Sequence, residues 1–568
     1  MLRRAPWLLP FALYAAAVVI AAPWGNFPVN DDWQYARTAK HFAETGHFVI
    51  DTEVAPALFG QSLLAWPLIH LFGFSHLLLR CLTLLLGLLV LWCVDALLAA
   101  GEAPPRARLI AGATLALNPL AFYLDATFMT EVYGLAPTLL AAVLWFRCRR
   151  GPAISLLVGA LCALGFWTRQ YSVAALPALA GAALFGGRRE GRPLRAVVAE
   201  LGPAVALCTA LVAAWFPWTR WTGNYRPEFA SPLSQMTRLS PQVWLIMGGI
   251  SAVYLTASLA PLLLQLDWPR AQARLLAALS LAFIALGYAA KTLAEWTGST
   301  PDGARSFLHS SFPYLGNIVR NAGLGPMTFP EIFRLNQPSP LRWPAGAWLA
   351  IESCILVAMV LWSPLLAAAR RLTGKALEVA LFGALLAFLQ LALAVQAYQL
   401  ELYDRYLYPA VVGGLLVAGV CVSLPAPRAL RALSPLLLLL LGAFSVGAVH
   451  DEFAWMSARW RLVEEAHRQG IPPENLQAGY EPDGWFHYDR YRAGEPPRGC
   501  IGACGCALVS WYCQDDSYRI GMARLTDATA VQSVLPATWL TPPWPIGLTR
   551  RTRPRAPSEP SPRQPPMP

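Results

Sequence analysis

Charged side chains are scarce in this sequence. Asp, Glu, Lys and Arg together make up 14% of the 568 residues, whereas 56% of the residues are hydrophobic and the mean hydropathy is +0.44. Soluble globular domains carry about 25% charged residues. The composition therefore excludes a soluble domain as the bulk of the chain, and a lipid bilayer is the solvent that suits it.

Phosphate-binding glycine motifs are also lacking. The sequence has no Walker motif and no dinucleotide-binding glycine loop, which disfavours an ATP-driven pump. The net charge of +11 comes mostly from short loops between apolar segments and from the C-terminal tail. It therefore reports membrane topology and attraction to anionic lipid, and no nucleic-acid partner is predicted.

Apolar segments long enough to cross a bilayer recur along most of the chain. A helix needs about 20 apolar residues to cross the hydrocarbon core. We therefore predict a polytopic α-helical membrane protein with about 13 transmembrane helices. The predicted spans are 6–23, 76–99, 109–124, 134–147, 153–167, 171–186, 197–216, 243–265, 272–291, 346–366, 377–396, 406–424 and 431–449.

The distribution of arginine orients these spans. Lys and Arg concentrate in short cytoplasmic loops, and basic loops such as 147–150, 188–195 and 370–375 alternate with less basic ones. This pattern predicts a cytoplasmic N-terminus and places the region after His450 outside. The first segment, up to Gly25, has features of a signal peptide, but the dozen spans that follow favour an uncleaved first helix.

Three zones follow from composition. Residues 1–449 form the membrane domain, 450–540 are predicted as a small α/β domain outside the membrane, and 541–568 as a disordered Pro- and Arg-rich tail. Four cysteines of the outer zone favour one or two disulfides. A zinc site is the alternative, although their spacing does not match the usual paired knuckles. These cysteines are Cys500, Cys504, Cys506 and Cys513.

An acidic pair, Asp31 and Asp32, follows the first apolar segment. It opens an amphipathic stretch that Asn30 or Asp31 can cap and that Gly46 can terminate. We predict a helix lying in the membrane interface, whose N-terminal dipole favours ionised carboxylates. A solvated helix cap is the simpler alternative for the pair. The residues predicted to share the apolar face are Tyr35, Ala39 and Phe42.

Three further polar clusters lie at outward ends of predicted spans, at 125–131, 168–170 and 403–406. Each cluster alone is typical of interfacial anchoring. Together with the acidic pair they bring carboxylates and guanidinium groups to one membrane face. A carboxylate can deprotonate an acceptor hydroxyl, and arginines can hold an anionic leaving group. This combination is what transfer of a group from a phosphate-bearing lipid requires.

Four short motifs follow one another in a fixed order: Asn-Asp-Asp-Trp-Gln-Tyr at 30–35, Phe-Met-Thr-Glu at 128–131, Thr-Arg-Gln at 168–170 and Asp-Arg-Tyr-Leu-Tyr-Pro at 404–409. In this order the chain resembles bacterial family 39 glycosyltransferases. These are GT-C enzymes related to the dolichyl-phosphate-mannose protein mannosyltransferases and to the aminoarabinose transferase of lipid A. The resemblance covers most of the membrane domain, so it implies a GT-C fold.

The resemblance implies a catalytic acid in the first outward loop. Asp31 matches the first acid of the family's Asp-Glu motif, and Asp32 stands where the Glu would be. Asp125 or Glu131 would match the acid of the second loop. Arg80, at the head of the second predicted span, matches an arginine often found there in the family, and Arg169 and Arg405 are the further candidates for binding the donor phosphate.

Two other segments bear on the resemblance. The lysine that engages lipid phosphate in the aminoarabinose transferase is missing from the corresponding stretch, 53–58, which weakens lipid A as the acceptor. The segment 479–485, Gly-Tyr-Glu-Pro-Asp-Gly-Trp, is similar to the periplasmic tail of uncharacterised bacterial members, for which no chemistry is assigned.

The resemblance implies a glycosyltransferase of the bacterial inner membrane. It would move a sugar, with inversion, from an undecaprenyl-phosphate donor to an acceptor hydroxyl on the periplasmic face, with Asp31 as the general base. The acceptor would be a cell-envelope glycan, lipid or protein. No cofactor is required, although a divalent cation is compatible, and the loop Ser311–Pro344 is a candidate lid. The alternatives are a lipid-linked glycan flippase or transporter, an O-antigen ligase or polymerase, and a non-enzymatic assembly protein.

Overall fold

The computed structural model describes two long parts of the chain and several shorter ones. The described residues are 8–50, 54, 57–224, 251, 254–267, 362–398, 404–422, 428–495, 517–521, 528–540, 543 and 545–551. Several predictions lie outside these residues: the span 272–291, parts of the spans 243–265 and 346–366, the candidate lid Ser311–Pro344, Tyr403, and the four cysteines of the outer zone.

Helices make up most of the described chain. They are α1 (Leu9–Ala21), α2 (Asp32–Thr45), α3 (Phe59–Phe72), α4 (His76–Ala100), α5 (Pro105–Ala116), α6 (Pro119–Asp125), α7 (Thr130–Arg147), α8 (Pro152–Thr168), α9 (Ala175–Arg189), α10 (Leu194–Trp221), α11 (Tyr254–Leu263), α12 (Trp362–Ala369), α13 (Gly374–Tyr398), α14 (Tyr408–Cys421), α15 (Arg428–Arg468) and α16 (Tyr480–Arg492). Short 3-10 turns occupy Gln170–Ala174, Asp404–Leu407 and Pro473–Asn475.

Four of the described helices, α4, α10, α13 and α15, are long and apolar enough to cross a membrane. The pair α5 and α6 would make a fifth span if it crosses as one bent unit. These helices and the composition show a membrane protein, but the predicted count of 13 spans is not confirmed.

The predicted span 109–124 is broken. The axes of α5 and α6 meet at 61°. Pro119 lacks the N–H that would continue the first helix, and the side-chain oxygen of Asn118 accepts hydrogen bonds from the N–H groups of Leu120 and Ala121 at 3.0 and 3.1 Å. This side-chain cap starts a new helix, so the apolar run that is predicted as one span forms two helices that meet at an angle.

Helix α3 lies in the loop between the predicted spans 6–23 and 76–99, where the sequence predicts only the helix that ends at Gly46. Its 14 residues are mostly apolar but too few for a straight crossing, and Pro67 interrupts them. Phe59, at its start, packs against Phe42 of α2 with ring centroids 5.9 Å apart. The loop is therefore a packed pair of short helices.

Helix α7 has a polar cluster at its N-terminal end and a basic loop at its C-terminal end. Its 18 residues span about 27 Å, close to the thickness of a hydrocarbon core. Glu131 lies in its first turn, and the loop after its last turn carries Arg150. Arg150 contacts Glu200 of α10 at 3.5 Å and Glu378 of α13 at 3.1 Å. Loops that the sequence analysis predicts as cytoplasmic therefore meet at one end of α7.

Helix α15 continues past the predicted domain boundary at 449 and 450, running unbroken for 41 residues to Arg468. The carboxylate of Asp451, within this helix, accepts hydrogen bonds from the N–H groups of Trp539 and Leu540 at 2.6 and 2.9 Å. The membrane part and the C-terminal zone are therefore joined by one continuous helix, and the C-terminal zone also folds back onto it.

A small sheet lies in the C-terminal zone, with the strand order β1-β2-β4-β3. Strands β1 and β2 are parallel, and β4 pairs antiparallel with both β2 and β3. The strands are β1 (Leu476–Gln477), β2 (Tyr518–Gly521), β3 (Ala528–Val534) and β4 (Ile546–Arg551).

Strand β4 corrects the prediction of a disordered tail from residue 541. Ile546 and Leu548 are fully buried, whereas the residues between and after them are more exposed. This alternation of two is the pattern of a strand with one buried face. The local pattern therefore outweighs the Pro- and Arg-rich composition over 546–551.

Candidate active site

The predicted amphipathic helix after the first apolar segment is confirmed as α2. Asp31 is its N-cap residue, and Gly46 ends it in the left-handed conformation with φ 71°. Tyr35 and Ala39 are buried on one face. The side chain of Asp31 makes no capping hydrogen bond, because its carboxylate is engaged by groups from distant parts of the chain.

Asp31 belongs to a cluster of two acids and two arginines. Arg405 Nη1 donates a hydrogen bond to Asp31 Oδ2 at 2.7 Å, and Arg405 Nε lies 3.6 Å from Glu131 Oε1. Arg169 Nη2 lies 3.2 Å from the same Glu131 oxygen. The side chain of Glu131 is fully buried, whereas that of Asp31 is 17% exposed. Asp31 is therefore the acid of the cluster that a ligand can reach.

The elements that carry the cluster bring it together at helix ends. Glu131 lies in the first turn of α7, where the helix dipole favours a negative charge. Arg169 follows the last residue of α8, and Arg405 lies in the 3-10 turn before α14. Burying such charges is costly unless they are paired, and this cluster pairs two positive with two negative groups.

Arg169 is held on several sides. Its Nη1 donates a hydrogen bond to Thr130 Oγ1 at 2.6 Å. Its guanidinium lies over the rings of Tyr171 and Tyr406, 4.9 and 5.1 Å from their centroids. Cation–π contacts of this kind stabilise a buried guanidinium without neutralising it. The side chain is thus fixed while its charge is retained.

A fifth polar residue, Tyr480, reaches Asp31 from the C-terminal zone. The Tyr480 hydroxyl donates a hydrogen bond to Asp31 Oδ1 at 3.0 Å and accepts one from Gln34 Nε2 at 2.7 Å. Next to it, Glu481 Oε1 accepts the N–H of Asn30 at 3.0 Å. Tyr480 was not among the predicted site residues. The only sequence signal was the similarity of segment 479–485 to a tail without assigned chemistry.

Asp32 points away from this cluster. Its Oδ2 accepts a hydrogen bond from the N–H of Val29 at 3.4 Å, and the side chain is buried. Burial raises the pKa of the Asp32 carboxyl to about 7, and the nearby Arg80 guanidinium opposes that shift. Although Asp31 and Asp32 are adjacent in sequence, their environments therefore differ.

Arg80 binds backbone carbonyls. It is 1% exposed, and its guanidinium lies 4.7 Å from the ring centroid of Phe453. These contacts fix the segment that leads into α2. The phosphate contact assigned to Arg80 stays a prediction. Its acceptors are the carbonyl oxygens of Pro23, Gly25 and Phe27, at 3.3, 2.7 and 2.8 Å.

Asp125 is also buried, at the last residue of α6. Its carboxylate lies against Gly87 of α4 and beside the hydroxyl of Tyr14. Of the two acids predicted for the second loop, the structure thus brings Glu131 to Asp31, and it places Asp125 against other helices.

The acids of the cluster are paired with arginine. Among the residues that the structure describes, no three His, Cys, Asp or Glu side chains are grouped so that they could hold a metal ion by themselves. Asp31 and Glu131 are both ion-paired with Arg405.

Comparison with known proteins gives matches only among solved structures. No protein-family model matches the chain, and a search of curated proteins finds no match. The chain is similar to ArnT from Cupriavidus metallidurans bound to undecaprenyl phosphate, with 14% identity, a TM-score of 0.36 and coverage of 83% of this chain and 82% of that chain. It is also similar to the oligosaccharyltransferase AglB from Archaeoglobus fulgidus in complex with an inhibitory peptide and a dolichol-phosphate, with 14% identity and a TM-score of 0.38. That match covers 82% of this chain and 59% of AglB.

Proposed function

We propose that the chain is a membrane glycosyltransferase that moves a sugar from a polyprenyl-phosphate donor to an acceptor hydroxyl, with Asp31 as the general base. One observation carries the proposal: Asp31 is the reachable acid of a cluster in which Arg405 binds both Asp31 and Glu131. A carboxylate beside buried guanidinium groups combines a proton acceptor with a site for an anionic leaving group.

The reaction uses these groups in a single displacement. Asp31 takes the proton of the acceptor hydroxyl while that oxygen attacks the anomeric carbon of the sugar. The bond from this carbon to the phosphate oxygen breaks, the polyprenyl phosphate leaves with the electron pair, and the configuration at carbon inverts. An ionised carboxylate offers about four lone-pair positions. Arg405 and Tyr480 engage one oxygen each, so positions remain for the acceptor proton.

The charge of the cluster favours departure of the phosphate. With Asp31 and Glu131 ionised, the two acids balance Arg169 and Arg405. Once Asp31 has taken the proton, the same four side chains carry one net positive charge. That charge arises where the leaving phosphate becomes more negative, so it stabilises the transition state more than the ground state. We assign the phosphate contact to Arg169 and Arg405, and to Arg80 the positioning of the segment before α2.

The alternation of basic loops supports a location at the periplasmic face of a bacterial inner membrane, with the N-terminus in the cytoplasm. Undecaprenyl phosphate is the donor lipid that this location and the motif order favour. The acceptor is a hydroxyl of a cell-envelope glycan, lipid or protein. Lipid A is a weaker candidate for the acceptor, because the stretch 53–58 lacks the lysine that engages lipid phosphate in the aminoarabinose transferase.

Transfer of radiolabelled sugar from undecaprenyl-phosphate donors into membrane acceptors tests the proposal. The wild-type chain is compared with Asp31→Asn and, as a matched control, with Asp32→Asn, at equal amounts of folded protein. We expect Asp31→Asn to lose about 10²–10⁴-fold in rate and Asp32→Asn to retain transfer. Equal rates in all three chains would remove Asp31 as the base. No transfer by the wild type would contradict the proposal and favour a transporter of lipid-linked glycans.

A further inference from the structure

We infer that Tyr480 is a positioning residue for Asp31, and that α16 of the C-terminal zone thereby completes the active site. The inference rests on the proposed function. The Tyr480 hydroxyl is 3.0 Å from Asp31 Oδ1, although 449 positions separate the two residues in the chain. Its role is to hold the carboxylate in the orientation in which it accepts the proton of the acceptor hydroxyl.

Gln34 fixes the direction of this hydrogen bond. Its side-chain nitrogen Nε2 can only donate, and it lies 2.7 Å from the Tyr480 oxygen. The Tyr480 hydroxyl therefore accepts from Gln34 and has its single proton left for Asp31 Oδ1. Gln34, three positions after Asp31, thus fixes the direction in which the rotatable Tyr480 hydroxyl donates its proton.

The two oxygens of Asp31 are held by different parts of the chain. Arg405, from the turn before α14, binds Oδ2 at 2.7 Å, and Tyr480 binds Oδ1 at 3.0 Å. Rotation of the carboxylate about its last bond would therefore break both hydrogen bonds. A general base works only within a narrow range of geometry, and this pair of contacts provides that restriction.

The attachment of α16 to α2 is specific for the start of α2. Glu481 binds the N–H of Asn30 at 3.0 Å, next to the contact of Tyr480 with Asp31. Asn30 has φ 58°, a left-handed conformation that costs energy in a residue other than glycine. Two consecutive residues of α16 thus hold the two consecutive residues that precede α2, one of them in a left-handed conformation. This arrangement matches a built site better than incidental packing.

A hydrophobic contact holds the two helices together around these polar groups. Trp33 is fully buried, with its ring centroid 5.8 Å from that of Tyr480 and 5.5 Å from that of Tyr488. Both tyrosine rings therefore pack on one tryptophan, but the contact with Asp31 comes from the Tyr480 hydroxyl. Tyr488→Phe consequently serves as a matched control, because it also removes the hydroxyl of a tyrosine that packs on Trp33.

The test measures kcat and donor KM for the full-length chain in lipid nanodiscs, in wild type, Tyr480→Phe and Tyr488→Phe. Tyr480→Phe keeps the ring and removes the hydroxyl. We expect its kcat to fall about tenfold to a hundredfold, the range for one hydrogen bond to a charged group, with an unchanged donor KM. Tyr488→Phe should match the wild type. The double variant Asp31→Asn/Tyr480→Phe should be no slower than Asp31→Asn, because the hydroxyl acts only through Asp31.

Wild-type kcat in Tyr480→Phe would overturn the inference and leave the proposed function standing, and so would an equal loss in Tyr488→Phe. No transfer by the wild type would overturn both. If Tyr480→Phe does not fold, Gln34→Leu carries the test, since it frees the hydroxyl to rotate. A reduced kcat with an unchanged KM would support the inference, and an unchanged kcat would overturn it.

Discussion

Arg405 contacts both acids of the candidate site. It donates to Asp31 Oδ2 at 2.7 Å, and its Nε lies 3.6 Å from Glu131 Oε1, in a setting where its own side chain is 8% exposed. Its guanidinium has several N–H groups in one plane, so it can bind two carboxylates at once. A lysine has one charged nitrogen and would not reproduce this geometry.

We therefore expect Arg405→Gln to lose sugar transfer and to lower the free energy of unfolding by about 3–5 kcal/mol, because it leaves the buried Glu131 and the partly buried Asp31 without their shared partner. Arg405→Lys should retain more stability than transfer. Thermal unfolding in detergent, together with the transfer assay, checks both outcomes. Wild-type rates in Arg405→Lys would show that charge alone suffices and that the bridging geometry has no role.

The pH dependence of stability should report on Asp32. Its pKa is about 7 in the folded chain, against about 3.9 for an unperturbed Asp. Between these values the folded state binds about one proton more than the unfolded state, so stability falls as pH rises from about 4 through 7. Asp32→Asn removes this titration. We expect the melting temperature of this variant to fall less than that of the wild type between pH 5 and 8. An equal fall in both proteins would contradict a raised pKa for Asp32.

The charged members of the ion-paired cluster stand out in the sequence, but their partners do not. Asp31, Glu131, Arg169 and Arg405 lie in short polar motifs at helix ends, which an apolar chain makes conspicuous. Tyr480 lies in a helix of mixed polarity, where a tyrosine gives no signal of its own. Which arginine meets which acid depends on tertiary packing, and spacing along the chain does not encode it.

Among the elements, α2 shows how much local signals can determine. Its boundaries at Asp31 and Gly46 were both predicted, although only Gly46 caps the helix as expected, since the Asp31 side chain makes no capping hydrogen bond. The break between α5 and α6 was not predicted, because the bend needs both Pro119 and the cap from Asn118 inside an otherwise apolar run. Helix α3 was missed because its 14 mostly apolar residues are too few for a straight crossing.

The packing of α16 on α2 depends on a glycine. A Cβ on Gly484 would lie 2.5 Å from ring atoms of Trp33, which real Cβ contacts do not allow. We expect Gly484→Ala to separate the helices, to lower stability by about 1–3 kcal/mol through overpacking, and to reduce transfer by displacing Tyr480. Thermal unfolding and the transfer assay measure both effects.

Gly202→Ala is the matched control for this change, because no atom lies within 4 Å of the position that its Cβ would take. It should leave transfer unaltered and should not lower the melting temperature, because Ala is a better helix former than Gly. An equal loss of transfer in both variants would show that the effect of Gly484→Ala does not arise at Trp33.

The direct contact between Asp31 and Tyr480 requires both residues to lie on the same side of the membrane. Asp489, which follows Tyr480 on α16 by about two and a half turns, has a side chain that is 77% exposed. Cys148, at the end of α7, is an exposed free cysteine in a loop predicted to be cytoplasmic. The two positions therefore report on opposite faces.

We expect a membrane-impermeant maleimide to label Asp489→Cys in intact spheroplasts and to label Cys148 only after lysis. Each cysteine is tested in a chain whose other cysteines are replaced by serine. Labelling of Cys148 from outside, with Asp489→Cys protected, would reverse the orientation deduced from the arginine loops. Labelling of both cysteines from outside would contradict the inference that the candidate site and the basic loops lie on opposite faces of the membrane, at the two ends of α7.

The distance in sequence between Asp31 and Tyr480 has a consequence for biosynthesis. At translation rates of about 5–20 residues per second, the 449 positions between them correspond to about 20–90 seconds. During that time the acidic pair and the first helices enter the bilayer, while Tyr480 is not yet made. Under the proposed function, a nascent or truncated chain would hold Arg169 without an oriented base, and translation would set the moment at which the chain becomes competent for transfer.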